Sequence, residues 1–193
     1  MTWLQKKILN NMGSRGTRRK NTDISSQYKE PSLLRSVESV IQNARDKGFY
    51  NGESLDITKV IGEHNDIKIE QVEMDGNLSG SLDYQGGYWV MRVNKNHNPK
   101  RQKFTLAHEY GHYLLHKENS ISFVDTTFFR GANKNSIEYV ANDFATNLLM
   151  PESAVRKLVD EDNLRNIGDL SERFGVSAAA MKVRVVQLGY KVK

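Results

Sequence analysis

Residues 108–112 read His-Glu-Tyr-Gly-His, and this spacing constrains the fold more than any other stretch of the chain. On an α-helix, residues four apart differ by about 40° in azimuth and about 6 Å in rise, so both imidazoles leave one face and can converge on a single ion. Glu109 is turned by about 100° from His108, which lets it reach a water beside that ion without being a ligand. The pattern suits one zinc ion held by two neutral imidazoles, with the carboxylate taking a proton from the water. Local sequence supplies the helix. Asn98 is a good N-cap, and Pro99 follows where a missing N–H costs nothing, so a helix is expected from there to about His116. Gly111 within it costs about 1 kcal/mol relative to Ala, a sign that another backbone or a substrate passes close by.

Two histidines leave such a site incomplete. One known extension needs Gly at position 115 and His at 118; the chain has Leu115 and Glu118 there, so that route is closed. The other takes an acidic residue from a following helix. Ser136 caps such a helix, with Ile137, Val140, Ala141, Phe144, Ala145 and Leu148 on one broad face and a stop before Pro151. Glu138 in its first turn is the leading third ligand. Asn142, one turn further, can hydrogen-bond a ligand His. Two His and one Glu with an open fourth position make a catalytic rather than a closed structural site. His116 lies another 40° or so round the helix and reads as structural. His64 and His97 read as surface loop residues, while Tyr110, Tyr113 and Tyr139 stay open as oxyanion donors.

The rest of the chain surrounds this helix pair. With 193 residues, 38% hydrophobic and 26% charged, it can bury a core as one domain with at most a small appendage. Cysteine is absent, which removes disulfides and thiolate nucleophiles, leaves any metal to His and carboxylate, and suits a cytoplasmic location. No apolar run reaches the roughly 20 residues of a membrane span. The net charge of +5 sits in residues 1–30, where seven basic groups face two acidic ones; in 31–193 the basic and acidic residues cancel. Residues 1–30 therefore read as a basic, flexible arm.

From Pro31, the positions Leu33, Leu34, Val37, Val40, Ile41 and Ala44 predict a helix ending near Gly48, and a short one spans about Leu55–Ile61. Ile67, Ile69 and Val72 alternate as a strand. Gly76, Gly80 and Gly86-Gly87 are spaced like hairpin turns around two more strands, Ser81–Tyr84 and Tyr88–Val93. The second of these is expected either as an open edge, with Tyr88, Val90 and Arg92 meeting an extended peptide, or as a plain core strand. Residues 152–193 predict short helices broken at Gly175 and stopped at Gly189, in the spacing of a helix-turn-helix. Its second helix offers Ala178, Ala179 and Ala180 where a DNA reader would place Arg, Asn or Gln, so packing or substrate docking is favoured over nucleic acid. The fold class is α+β: a small antiparallel sheet packed on the motif helix and the following ligand helix, with a helix-turn-helix-like C-terminal segment.

RQKFTLAHEYGHYLLH followed by EYVANDFATNLLMP resembles the ImmA/IrrE-type metallopeptidases, a gluzincin-like group of small intracellular proteins. The resemblance runs over roughly 33–190 and includes LSERFGVS and QLG near the end; residues 1–30 lie outside it. It implies zinc ligands at His108, His112 and Glu138, Glu109 as catalytic base, a metallopeptidase core over 31–151 and a C-terminal subdomain over 152–193. It also implies a protein substrate, a helix-turn-helix repressor or antitoxin, often in mobile elements. The expected function is thus a zinc-dependent endopeptidase with one Zn²⁺ per chain. Two alternatives stand beside it: a non-proteolytic regulator that binds DNA or a repressor, and a toxin or immunity component of a two-protein module.

Overall fold

The structure, a computed structural model, describes residues 36–75, 78–125 and 136–191. The basic arm and Pro31, Leu33, Leu34 and Gly76 lie outside these residues. In chain order the elements are α1 (Val37–Asp46), α2 (Ile57–Ile61), β1 (Ile67–Val72), β2 (Gly80–Gln85), β3 (Tyr88–Asn94), α3 (Pro99–His116), β4 (Ser122–Asp125), α4 (Ile137–Leu149), α5 (Glu152–Arg156) with a π-helical turn at Lys157–Glu161, α6 (Ile167–Phe174) and α7 (Ala178–Gln187).

Helix α3 is the centre of the fold, and its start is fixed as the sequence predicts. The Asn98 side chain accepts from the Arg101 N–H at 2.9 Å, with Pro99 in the first turn. From Phe104 to Leu114 every residue is buried, because the sheet covers one side of the helix and α4 crosses another. The crossing is close at Gly111. A Cβ there would stand 3.3 Å from Cα and O of Ala141 and 3.2 Å from the Phe144 ring, so the glycine admits the backbone of α4, as its position inside a helix suggested.

The sheet has order β1-β3-β2-β4. Gly86 and Gly87, at φ +58° and +87°, form the two-residue turn joining β2 to β3, a loop whose twist matches the strands it joins. The sheet is mixed rather than wholly antiparallel, since β1 runs parallel to β3 in the register Ile67↔Trp89. Alternation sets which face a side chain occupies; it carries nothing about the direction of the neighbour. The link after β1 passes beyond β3 before β2 begins. Asn94 ties it down, donating from Nδ2 to the carbonyls of Leu78 (2.9 Å) and Met74 (3.2 Å).

Three sequence expectations change here. Gly80 is the first residue of β2, not part of a turn. β3 is an interior strand, flanked by β1 and β2, so it is no open edge. Its alternation turns Trp89, Met91 and Val93 toward α3 and leaves Tyr88, Val90 and Arg92 on the opposite face. Arg92 spends its guanidinium there on Glu70 (3.0 Å) and Asp83 (3.1 Å). Finally, Ile137 is 42% exposed and does not belong to the buried face of α4.

The C-terminal helices close one side of the core. Gly175, left-handed at φ +64°, ends α6, and the Ser177 side chain caps α7. Arg184 of α7 is buried and donates to the Met150 carbonyl and to Asn147 Oδ1, both at 2.9 Å, satisfying a backbone acceptor at the end of α4. Lys103 of α3 reaches Ser54 Oγ (3.0 Å) and the last carbonyl of α6, Phe174 O (2.8 Å). One buried cluster, from Val40 through Met91 and Leu148 to Val185, continues across residue 151. Among the described residues, no helix is long and apolar enough to cross a membrane.

Candidate metal centre

The close crossing of α3 and α4 sets the first turn of α4 against the histidine face of α3. Ser136 accepts from the Tyr139 N–H at 3.1 Å and fixes that turn. His108 Nε2 and His112 Nε2 stand 3.0 Å apart. Glu138 completes a triangle, with Oε2 3.2 Å from His108 Nε2 and Oε1 3.4 Å from His112 Nε2. Zinc bound tetrahedrally at 2.0–2.1 Å requires donors about 3.3 Å apart, so these side chains fit such an ion. Among the described residues, this is the group of three whose donor atoms lie close enough to share one metal.

The surroundings prepare the donors. Asn142 Oδ1 lies 3.1 Å from His108 Nδ1. An amide oxygen only accepts, so Nδ1 carries the proton and Nε2 turns its lone pair to the centre of the triangle. Both histidines are buried, whereas the Glu138 side chain keeps 40% of its surface, so the centre opens to solvent on that side. Burial pushes the Glu138 carboxyl up, yet the hydrogen bonds and charges of His108 and His112 outweigh it and hold the group well below the usual carboxylate range. It is ionised at neutral pH, as a metal ligand must be.

Glu109, next to His108 in the chain, lies under β2. It has no exposed surface, and a Cβ placed on Gly80 would stand 2.9 Å from its Oε1. The strand therefore passes directly over this carboxylate. The other side of the site carries Phe123 of β4, whose ring stacks on His112 at 4.6 Å between centroids and 17° between planes. Sequence reading missed both contacts. Gly80 carries a signal, a glycine before an alternating stretch, but that signal is shared with turns; Phe123 carries none, since β4 is four residues long.

The remaining candidates sort by position. His116 is buried beside His112, at 5.6 Å between ring centroids, and lies outside the donor triangle. Burial lowers its pKa to about 4, helped by the neighbouring His112. His64 is not a free surface residue: Nε2 lies 2.8 Å from the Tyr110 hydroxyl, and Tyr113 donates to Asp66 at 2.8 Å beside it. This network commits Tyr110 and Tyr113 to the start of β1. Tyr139 is 37% exposed, on the same helical turn as Glu138.

Comparison with known proteins bears on the same residues. The family described as the IrrE N-terminal-like domain, a peptidase family, matches residues 63–186. The Bacillus subtilis metallopeptidase ImmA is 24% identical over 163 residues, 84% of this chain and 89% of ImmA. The radiation response metalloprotease IrrE of Deinococcus radiodurans is 32% identical over 94 residues, 47% of this chain and 29% of that protein. The IrrE of Deinococcus deserti is 31% identical over 108 residues, 54% of this chain and 38% of that protein. The chain thus spans most of ImmA and about a third of each IrrE. A Mycobacterium tuberculosis transcriptional regulator superposes with a TM-score of 0.48 at 16% identity, over 75% of this chain and 44% of that one. The family match takes in the sheet, both helices of the donor triangle and α6, and on that match the chain belongs to the IrrE N-terminal-like domain family of metallopeptidases.

Proposed function

We propose that the chain is a zinc-dependent endopeptidase in which His108, His112 and Glu138 hold one Zn²⁺ and Glu109 is the catalytic base. The observation that carries this reading is the donor triangle with 3.0–3.4 Å edges, closed by a carboxylate 26 positions or more along the chain from either imidazole. A bound ion supplies Lewis-acid polarisation of the scissile carbonyl and acidifies a water beside it. Glu109 takes the proton of that water and returns it to the leaving amine. Burial under β2 holds the Glu109 carboxylate in place, and Asn142 keeps His108 in the tautomer that ligates.

The substrate is a protein, and the resemblance names its class as a helix-turn-helix repressor or an antitoxin in the cytoplasm. The catalytic unit is assigned to residues 31–151 and a docking role to 152–193, whose described helices share the core cluster with it. DNA binding by α7 is disfavoured because Arg184, one of its few cations, is spent on Met150 and Asn147. The test is Glu109→Gln. The variant is expected to keep one equivalent of zinc and to lose cleavage of a co-incubated repressor by at least a thousandfold; a variant that still cleaves removes Glu109 from the mechanism.

A further inference from the structure

We infer that the outer edge of β2 is the binding site for an extended polypeptide, and that β4 is an exchangeable strand of the chain itself occupying it. The inference rests on the peptidase reading for its purpose, but on the sheet for its content. β2 is the strand that passes over Glu109, at Gly80. Its inner edge is paired with β3. Its outer edge is filled by Ser122–Asp125 in the register Ser81↔Val124 and Leu82↔Phe123. A peptide on this edge would run beside Glu109 and His112, where β4 runs now.

β4 is built to leave. It is four residues long and paired on one side only. Of Ser122, Phe123 and Val124, Phe123 is the one buried in the core, and that ring lies flat on His112. Val124 is 54% exposed, and Ile121, just before the strand, 70%. Displacing β4 breaks the backbone ladder, the Ser122–Asp83 hydrogen bond (2.6 Å) and the seat of one side chain; an incoming strand with an aromatic or aliphatic residue opposite Leu82 replaces the ladder and the seat. The ligand class is thus an unfolded or extended protein segment carrying such a residue, which takes the place of Phe123 over the His112 ring.

The absence of cysteine permits a clean test. The Tyr84 N–H donates to Ile121 O (2.8 Å) just beyond the ladder, so by alternation Ser81 and Val124 form a non-hydrogen-bonded pair, the closer kind, which a disulfide can bridge. Ser81→Cys with Val124→Cys, oxidised, locks β4 onto β2. A labelled peptide copying residues 120–125 is titrated into this pair and into Phe123→Ala, each zinc-loaded and carrying Glu109→Gln, while β-casein hydrolysis is followed with Glu109 intact. Phe123→Ala is expected to bind the peptide at least tenfold more tightly than its parent, and the oxidised pair at least tenfold more weakly than its reduced form, with equal zinc in all. Casein cleavage is expected to follow the same order. Equal binding by oxidised and reduced pairs, no binding by any form, or casein cut equally by both redox forms overturns the proposal. Binding in the expected order without casein cleavage by any zinc-loaded form leaves strand exchange standing and instead refutes the peptidase reading.

Discussion

Gly80→Ala tests how tightly the Glu109 carboxylate, the proposed catalytic base, is held. The φ of Gly80 lies outside the left-handed region, so alanine is conformationally acceptable there and the effect is one of space. The added Cβ would stand 2.5 Å from Thr105 Cγ2, 2.9 Å from the Arg92 carbonyl oxygen and 2.9 Å from Glu109 Oε1. Carbon atoms rest at about 3.5–4.0 Å, so the first contact overlaps by about 1 Å. The Arg92 carbonyl belongs to β3 and moves only with the sheet. Overpacking of this kind costs about 1–3 kcal/mol, which for a domain of this size lowers Tm by roughly 2–12 °C. Activity should fall further, because displacing a reacting group by about 1 Å can cost about a hundredfold. The assays are thermal unfolding, zinc content and repressor cleavage on one preparation. The expected result is a lower Tm, unchanged zinc and kcat/KM reduced about tenfold to a hundredfold. Adding Thr105→Ser removes the 2.5 Å contact and should restore part of the Tm but not the activity. Wild-type Tm and kcat/KM in Gly80→Ala would refute the placement of β2 over Glu109.

Other outcomes follow from the same contacts. Asn142→Ala should weaken zinc affinity about 10- to 100-fold, read by competition with a chelator, because His108 loses the acceptor 3.1 Å from Nδ1. Lys103 has its pKa lowered by burial to about 8 from 10.5. Between these values the unfolded chain binds more protons, so this group makes stability rise from pH 8 to 10.5, by less than about 3 kcal/mol. Urea unfolding across that range should show a smaller rise in Lys103→Met than in the wild type. An equal rise would mean that Lys103 is not the group responsible.

What the sequence disclosed and what it hid divide along physical lines. The motif helix, its Asn98 cap, the Ser136 cap and the shared face of Glu138 and Asn142 follow from local helical rules that α3 and α4 obey; the pairing of Glu138 with the histidines follows instead from the known ways a two-histidine site is completed. Gly111, costly inside a helix, signalled the close approach of another backbone or a substrate, and the structure shows it to be the α4 backbone. The parallel pairing of β1, the interior place of β3 and the existence of β4 depend on which strand the chain returns to, and period-two alternation is silent about partners. The stretch SFVD is too short to alternate convincingly, so Phe123 had no signal. His64, Tyr110 and Tyr113 form a network between residues 46 or more positions apart, which no local pattern anticipates.

The central claim is that a single ion is gripped by two imidazoles of α3 and one carboxylate of α4. Metal analysis by mass spectrometry of purified wild type, His112→Ala and Glu138→Ala tests it most directly. One equivalent of zinc per chain in the wild type and well under a tenth in both folded variants is the predicted result. A full equivalent retained by Glu138→Ala or His112→Ala would contradict the account.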